Sequence, residues 1–329
     1  MSVTLVNKQV GQIGFGLMGL TWRPNPAPYE EAAKVMKHAL EKGANFWNGA
    51  QFYGPPHANS LQLLEYYFTQ YPEDADKVVL SIKGGMTPQG PNGTREGIQA
   101  SVDKCLEVLK GKVKISIFEP ARVDPNVPIE TTVEALAEYV KAGKIGAIGL
   151  SECSAATIER AHAVHPIATA EIELSLFSTD PLTNGIAETC GKLGIPLVAY
   201  SPLSRGFLTG QVRSPSDIPE GDLRAHYPRF QPDVFPLNLK LVEELEQIAK
   251  KKSVTLPQVA IAWVREQSRT PGMPVILPIP GCTTVARVDE NLTSVPLDDD
   301  DLKQIGSILD QFPVHGARYG GHIAKYMSG

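Results

Sequence analysis

The sequence lacks both a basic surface and a long apolar run. It carries a net charge of -5 over 329 residues, and its longest basic run is Lys250–Lys252. This charge pattern is not that of a nucleic-acid-binding protein, in which lysine and arginine cluster on one face. No apolar stretch approaches the length of about 20 residues that a membrane-spanning helix needs, and the first residues show no signal pattern. We therefore expect no nucleic acid partner and no membrane association.

Cysteine is scarce as well. The four cysteines lie far apart and form no Cys-x-x-Cys pair: Cys105, Cys153, Cys190 and Cys282. This spacing argues against a zinc site and against a disulfide framework. We expect each cysteine to be a small buried apolar side chain. The sequence thus predicts a cytoplasmic protein without a metal.

Short apolar runs alternate with helical patterns along the chain. The runs lie near residues 13, 45, 80, 115, 147, 171, 198 and 276, and they are typical of buried parallel strands. Strand and helix in regular alternation predict an α/β protein, here a (β/α)8 TIM barrel. We expect one domain over residues 1–329, with an N-terminal hairpin in residues 2–10, an extra C-terminal helix at Asp298–Asp310 and a tail at Phe312–Gly329. The alternative, an open six-stranded sheet with a small second domain, lacks a shift in composition to mark its boundary.

Helical periodicity and capping residues predict where the helices lie. The longer ones are expected at residues 30–42, 60–70, 94–109, 128–142, 154–164, 180–193, 237–251 and 256–265, and a short one after Thr283 or Thr284. A polar segment at residues 205–236 interrupts the alternation. Strands are expected at Ala44–Trp47 and Val113–Phe118, among others.

Residues Gly14–Gly19 spell Gly-x-Gly-x-x-Gly, which is the fingerprint of a dinucleotide-binding domain. That fingerprint needs a helix that begins within it, so that the helix N-terminus meets the pyrophosphate. Pro24, Pro26 and Pro28 follow closely, and prolines at this spacing cannot form a helix interior. The acidic residue expected about 20 positions later is also missing. We interpret the segment as a strand that ends in a glycine turn at the barrel mouth.

Two strand ends carry side chains that suit proton transfer. Tyr53 follows the strand at residues 44–47, and Lys83 ends the strand that begins at Val78. In a barrel of this type the active site lies at the carboxyl ends of the strands. Carbonyl reduction needs a proton for the developing alkoxide, and a phenol with a pKa near 10 is a weak acid at neutral pH. A nearby ammonium lowers that pKa, so Tyr53 and Lys83 predict an acid and its cationic partner.

The chain resembles the aldo-keto reductase family over almost its whole length. The matching stretches are Phe46–Gly54, Leu80–Lys83, Ile148–Ser151, Ala199–Leu203, Gly206–Gly210, Leu277–Gly281 and Arg287–Asn291. Within the family the chain is most similar to the pyridoxal reductases, through Gly14–Pro26 and Ala121–Thr131. The resemblance implies a (β/α)8 barrel that binds NADPH across its mouth without a Rossmann domain.

The resemblance also implies roles for the catalytic positions. Tyr53 matches the general acid and Lys83 its partner. Asn48 stands where the family has an aspartate, and Ala121 stands where most members have a histidine that orients the carbonyl. The pyridoxal reductases share the alanine. Asparagine can hydrogen-bond Lys83 but cannot neutralise it, so we expect an impaired or altered reductase; the alternative is that Asn48 only caps the turn.

Cofactor positions follow from the same resemblance. Thr21 and Trp22 are expected beside the nicotinamide, Ser151 at its carboxamide and Tyr200 against its ring. Glu152 and Glu171 stand at two further cofactor positions, where the family has asparagine and glutamine. The loop over the pyrophosphate is expected to begin with Ser201, Leu203, Arg205 and Gly206. Arg287 is expected at the 2′-phosphate, which suits a planar cation, and Glu290 and Asn291 at the adenine.

The leading functional hypothesis is the NADPH-dependent reduction of an aldehyde to its alcohol, with pyridoxal as the first substrate to try. Trp22, Arg122, Arg318 and Tyr319, together with His315, are expected to shape the substrate pocket. The alternative is an NADP(H)-binding sensor or regulatory subunit with weak catalysis, which Asn48 and Ala121 favour. A Rossmann dehydrogenase comes third, because its motif lacks the required helix.

Overall fold

The computed structural model describes residues 3–327 and 329. Met1, Ser2 and Ser328, at the outer ends of the predicted domain, hairpin and tail, lie outside the described residues. The strands are β1 Val3–Leu5, β2 Lys8–Val10, β3 Phe15–Gly16, β4 Phe46–Ala50, β5 Val79–Gly84, β6 Met86–Thr87, β7 Gly90–Pro91, β8 Ile117–Pro120, β9 Ala147–Ser151, β10 Ile167–Glu173, β11 Leu197–Tyr200 and β12 Ile276–Pro278. The α-helices are α1 Met18–Thr21, α2 Tyr29–Glu41, α3 Ser60–Gln70, α4 Arg95–Leu109, α5 Ile129–Lys141, α6 Ala155–Val164, α7 Ile186–Leu193, α8 Phe235–Lys252, α9 Leu256–Glu266, α10 Val285–Leu292 and α11 Asp299–Gln311.

The central sheet is parallel and closes on itself. Its strands follow the order β12, β11, β10, β9, β8, β5, β4, β3. The first and last of these strands meet where Gly14 N donates to Pro278 O at 2.9 Å and Gly16 N to Pro280 O at 3.2 Å. A Cβ atom on Gly16 would lie 2.9 Å from Ile279 O, so this close approach requires glycine. The predicted (β/α)8 barrel is confirmed.

The barrel interior changes from apolar to polar along its axis. Near the amino ends of the strands, alternate side chains form one cluster with the hairpin β1–β2: Phe46, Val79, Ile117, Val198 and Leu277 pack with Val3, Leu5 and Val10. The intervening residues, such as Trp47 and Leu80, pack outward against the helices. Because side chains in a strand alternate with a period of two, the next inward positions are Asn48, Ser81 and Glu119. The carboxyl half of the interior is therefore polar and buried.

Helix starts follow the capping residues of the sequence. The side chains of Asn59, Thr94, Ser154, Thr284 and Asp298 each accept a hydrogen bond from a backbone N–H in the first turn of the helix that follows. These residue types satisfy the otherwise unpaired N–H groups at a helix start. The predicted starts of these helices are confirmed to within a residue.

Some predicted boundaries were wrong. Residues 180–193 do not form one helix, because Gly185 has a φ of +90° and separates a 3-10 turn at Asp180–Leu182 from α7. The strand predicted at Val113–Phe118 is β8, which begins at Ile117. The polar segment predicted at residues 205–236 contains several short 3-10 turns.

The glycine motif and the position of Asn48 also differ from the prediction. A helix does begin within Gly14–Gly19, but α1 has a single turn and ends at Thr21, before the prolines. It is too short to be the long helix of a dinucleotide-binding domain. Asn48 lies inside β4 rather than after it, so it faces the barrel interior and does not cap the turn. Within the part of the chain that the structure describes, no helix combines the length and the apolar character needed to cross a membrane.

Candidate active site

Tyr53 lies half-buried in the turn after β4, at the carboxyl end of the barrel. Its carbonyl oxygen accepts hydrogen bonds from Thr21 Oγ1 at 2.7 Å and from Ser60 N at 3.1 Å. The Trp22 ring lies 5.7 Å from the Tyr53 ring. The hydroxyl of Thr21, a predicted cofactor contact, therefore fixes the Tyr53 turn. Trp22 flanks the phenol and remains exposed.

Lys83 extends from the neighbouring strand toward the same place. Its Nζ atom lies 5.1 Å from the centroid of the Tyr53 ring, and its side chain is 3% exposed. Nζ donates to Asn48 Oδ1 at 2.5 Å and lies 2.8 Å from Glu171 Oε1. The structure brings the predicted acid, its lysine and Asn48 together, with Lys83 and Asn48 buried and Tyr53 half-buried.

The expectation that Lys83 lacks a carboxylate partner was wrong. Asn48 does accept a hydrogen bond from Lys83, as expected, but the negative charge comes from Glu171. Both Glu171 oxygens face the ammonium, at 2.8 and 3.1 Å. Glu171, predicted at a cofactor position, therefore pairs with Lys83. Positions 48 and 171 are 123 residues apart, and only the closed barrel makes them neighbours.

Burial and charge determine the protonation of this cluster. Desolvation raises the pKa of Tyr53 above its ordinary value, and the opposing charge of Lys83 does not reverse this effect. Lys83 does lower the pKa of Tyr53, as expected, but by less than desolvation raises it. Desolvation disfavours the Lys83 ammonium, but the charges around it, Glu171 first, raise its pKa nevertheless. Desolvation and the proximity of Glu171 hold the pKa of Glu119 well above its usual range. At neutral pH we therefore expect a protonated Tyr53, a charged Lys83 and a neutral Glu119.

A second charged cluster joins the barrel mouth to the C-terminal tail. Arg318 donates to both oxygens of Glu152, at 3.1 and 3.0 Å, and lies 3.5 Å from Glu173 Oε2. Burial raises the pKa of Glu152, but the Arg318 charge outweighs it, so the pKa lies below its usual range. Glu152, a predicted cofactor contact, therefore holds the tail.

Two tyrosines and Arg205 complete this second cluster. Tyr319 OH lies 3.0 Å from Tyr200 OH and accepts a hydrogen bond from Arg205. The Arg205 guanidinium also lies 4.6 Å from the Tyr319 ring centroid. Sequence reasoning did not single out Glu173, which pairs with Arg205 at 3.4 Å. The sequence does contain a signal for Glu173. It lies two residues after Glu171 in an apolar strand, and this spacing places both side chains on one face.

Arg122 and His315, both predicted to shape the substrate pocket, lie in different surroundings. The Arg122 guanidinium carbon lies 5.9 Å from the Tyr319 ring centroid, and Nη1 donates to Ala121 O at 2.5 Å. Its Nε atom is buried with no hydrogen-bond partner among the described residues. His315 is exposed, and its backbone is tied to Asn238 by two hydrogen bonds. The structure thus brings Arg122 to the cluster but not His315.

Several predicted cofactor residues fit a nucleotide. Ser151 Oγ is buried at the end of β9 and has no partner among the described residues, so it is free to bond a polar group such as a carboxamide. The backbone of Ser201, Ser204, Arg205 and Gly206 takes φ values of +51°, +47°, +55° and +102°. Leu203 is half-buried in the same loop. Left-handed turns of this kind form concave anion sites from their backbone N–H groups, although Ser204 N and Gly206 N already donate to Ser201 O and Leu203 O within the loop.

The predicted adenine and 2′-phosphate residues lie on α10. Arg287 is exposed in its first turn, and Nη2 donates to Gln211 Oε1 at 2.5 Å. Glu290 is half-buried, and its carbonyl oxygen accepts from Gln258. Asn291 is buried. An exposed guanidinium near a helix N-terminus suits a phosphate ligand.

The chain is similar to known proteins over most of its length. Residues 12–310 match the model of the aldo/keto reductase family. The chain is 42% identical to a probable pyridoxal reductase 2 of Schizosaccharomyces pombe, over 97% of this chain and 98% of that protein. It is 37% identical to a putative pyridoxal reductase of Saccharomyces cerevisiae, over 97% and 99%. A solved structure of a glycerol dehydrogenase from Gluconobacter oxydans shares the fold, with a TM-score of 0.82 and 21% identity over 96% and 97% of the two chains.

The chain therefore belongs to the aldo/keto reductase family. The resemblance seen in the sequence is confirmed, and so is the prediction of an NADPH-dependent oxidoreductase that reduces aldehydes.

Proposed function

We propose that this chain reduces a pyridoxal-like aldehyde to its alcohol, with Tyr53 as the general acid. The observation that carries the proposal is the phenol of Tyr53 at the carboxyl end of the barrel, with the Lys83 ammonium 5.1 Å from its ring. Pyridoxal is the first candidate because relatives that match nearly the whole chain bear that name. No nucleic acid takes part in this function.

When NADPH is bound, it supplies the hydride that reduces the carbonyl carbon. Tyr53 donates its phenolic proton to the carbonyl oxygen, so that the alkoxide leaves as an alcohol. Burial raises the pKa of Tyr53, and the donor therefore carries its proton at neutral pH. Lys83 stabilises the phenolate that remains, because an opposite charge nearby favours the ionised form.

Further residues hold the two ligands. Ser151 would bond the carboxamide of a bound NADPH, and Tyr200 would stack on its nicotinamide ring. The loop from Ser201 to Gly206 would hold its pyrophosphate. On the substrate side, Trp22, Arg122, Arg318 and Tyr319 form the walls of the pocket. The chain acts as one domain, which limited proteolysis tests. It acts in the cytoplasm, a proposal that its four free and buried cysteines support and that cell fractionation tests.

The direct test is the loss of NADPH absorbance with a panel of aldehydes that includes pyridoxal. We expect turnover, with pyridoxal among the best substrates. Nucleotide binding without turnover of any aldehyde would instead support an NADP(H)-binding sensor. That alternative has lost its main argument, because Lys83 keeps a carboxylate partner in Glu171.

Arg287→Ala is expected to weaken NADPH binding far more than NADH binding. The guanidinium matches the 2′-phosphate, which NADH lacks, and a hydrogen bond to a charged group contributes about 1.5–3 kcal/mol. The dissociation constant for NADPH should rise about 10- to 100-fold, measured by quenching of protein fluorescence. Arg269→Ala, which removes an exposed arginine paired with Glu266, is the control. Equal effects of Arg287→Ala on the two nucleotides would contradict the assignment.

A further inference from the structure

Glu171 occupies an unusual place for a residue beside a cofactor site. It is 3% exposed, and neither of its oxygens is left free. Oε1 lies 2.8 Å from Lys83 Nζ, and Oε2 accepts from Lys83 Nζ at 3.1 Å and from Asn48 Nδ2 at 2.5 Å. A buried carboxylate needs such partners, because an unpaired buried charge is costly. The side chain is thus committed to the lysine.

Asn48 is the complement of this carboxylate. Its Oδ1 faces the ammonium, and its Nδ2 faces Glu171 Oε2 and Glu119 Oε1, at 2.5 and 3.2 Å. An amide satisfies both neighbours, since it offers an acceptor to the cation and a donor to the anion. An aspartate here would place two carboxylates in contact, and like charges at that distance do not both ionise. Asparagine at position 48 therefore matches glutamate at position 171.

Glu119 does not supply the charge that balances Lys83. Its nearer oxygen lies 3.9 Å from Nζ, whereas Glu171 reaches 2.8 Å. Glu119 Oε1 accepts from Ser81 Oγ at 3.0 Å, and Oε2 has no hydrogen-bond partner among the described residues. Its hydrogen-bond donors, Ser81 and Asn48, are both neutral. Desolvation together with the nearby Glu171 raises its pKa, so Glu119 is a neutral carboxyl group. One ammonium then faces one carboxylate.

We propose that Glu171 is the positioning carboxylate of this active site, which holds Lys83 charged and aimed at Tyr53 while Asn48 links the two. The carboxylate that the family places at position 48 has thus exchanged places with the amide at position 171. The proposal rests on the function proposed above, in which Tyr53 is the acid. It adds that the site is intact rather than impaired.

The first test compares Glu171→Gln with the unmodified protein. Without the carboxylate, burial disfavours the Lys83 ammonium, and loss of an opposite charge at this distance lowers a lysine pKa by about 1–3 units. The alkaline limb of the kcat–pH profile should therefore move down by about 1–3 pH units, with an unchanged dissociation constant for NADPH. Glu130→Gln, which removes an ion pair with Arg160 outside the barrel, is the matched control and should leave the profile in place.

The second test is rescue. Asn48→Asp combined with Glu171→Gln restores one carboxylate beside Lys83, and the alkaline limb should return to within about half a pH unit of its original position. Asn48→Asp alone should gain no turnover, because the charge is already present. Glu119→Gln should shift the limb less than Glu171→Gln does.

A measurement that needs no turnover separates this proposal from the proposed function. The Cε resonance of Lys83, identified by its loss in Lys83→Met, reports the protonation of the amine. It should titrate at a lower pH in Glu171→Gln and return in the double variant, whether or not an aldehyde is reduced. Three results would overturn the proposal: an unshifted resonance in Glu171→Gln, a failed rescue in the folded double variant, or a changed NADPH affinity without a shifted profile.

Discussion

Tyr53→Phe is expected to lower kcat for aldehyde reduction by about 100- to 10,000-fold, the usual contribution of a positioned general acid. The ring and its contact with Trp22 remain, so the affinity for NADPH should not change. Only the transferable proton is lost, and Lys83 cannot replace it because its neighbours raise the pKa of the ammonium. Steady-state kinetics with saturating NADPH, together with a binding titration, measure the two quantities separately.

The chain contains a matched control for this substitution. Lys37 Nζ lies 5.1 Å from the ring centroid of Tyr71, the same distance as that between Lys83 and Tyr53. Tyr71→Phe therefore removes a phenol beside a lysine at a site outside the barrel mouth, and it should leave kcat within about twofold of its original value. A Tyr53→Phe variant that retained more than about a tenth of kcat would rule out the acid role.

Lys83→Met is expected to destabilise the protein by about 3–5 kcal/mol at neutral pH, which is the usual cost of removing one partner of a buried ion pair. The removed ammonium leaves Glu171 buried without a cation. Desolvation lowers the pKa of Lys83 in the unmodified protein, but the surrounding charges, Glu171 first, raise it above its value of about 10.4 in the unfolded chain. A raised pKa in the folded state means that the contribution to stability is full below the unfolded value and is lost as pH rises through the folded value. The deficit of Lys83→Met should therefore be full at neutral pH and shrink as pH rises above about 10.4.

Urea unfolding at several pH values measures this deficit. The control is Lys104→Met, which removes an exposed lysine paired with Glu107 at 3.0 Å. Surface pairs of this kind contribute about 0–1 kcal/mol, so the control should unfold almost as the unmodified protein does. A Lys83→Met deficit that equals that of the control, or that grows as pH rises above about 10.4, would contradict the ion pair described above.

Much of the fold was predictable because its signals are local. Alternating apolar runs and helical patterns indicated the barrel, and residues such as Asn59 and Thr94 marked helix starts through their own backbone neighbours. Local rules failed where one residue altered the chain direction, as Gly185 does before α7. Tyr53 and Lys83 were also predictable as a pair, since the carboxyl ends of neighbouring parallel strands lie side by side.

The sequence by itself thus determined the family, the barrel, and the proximity of Tyr53 to Lys83. Only the tertiary structure decided which side chain neutralises that lysine. A period of two indicates that Asn48 and Glu171 point inward, but contact across the barrel depends on how β4, β5 and β10 are staggered around it. The protonation of the site depends on the same closure, because water excluded from the interior raises the pKa of Tyr53 despite the nearby cation. Desolvation and contact across the barrel arise only when the sheet is closed.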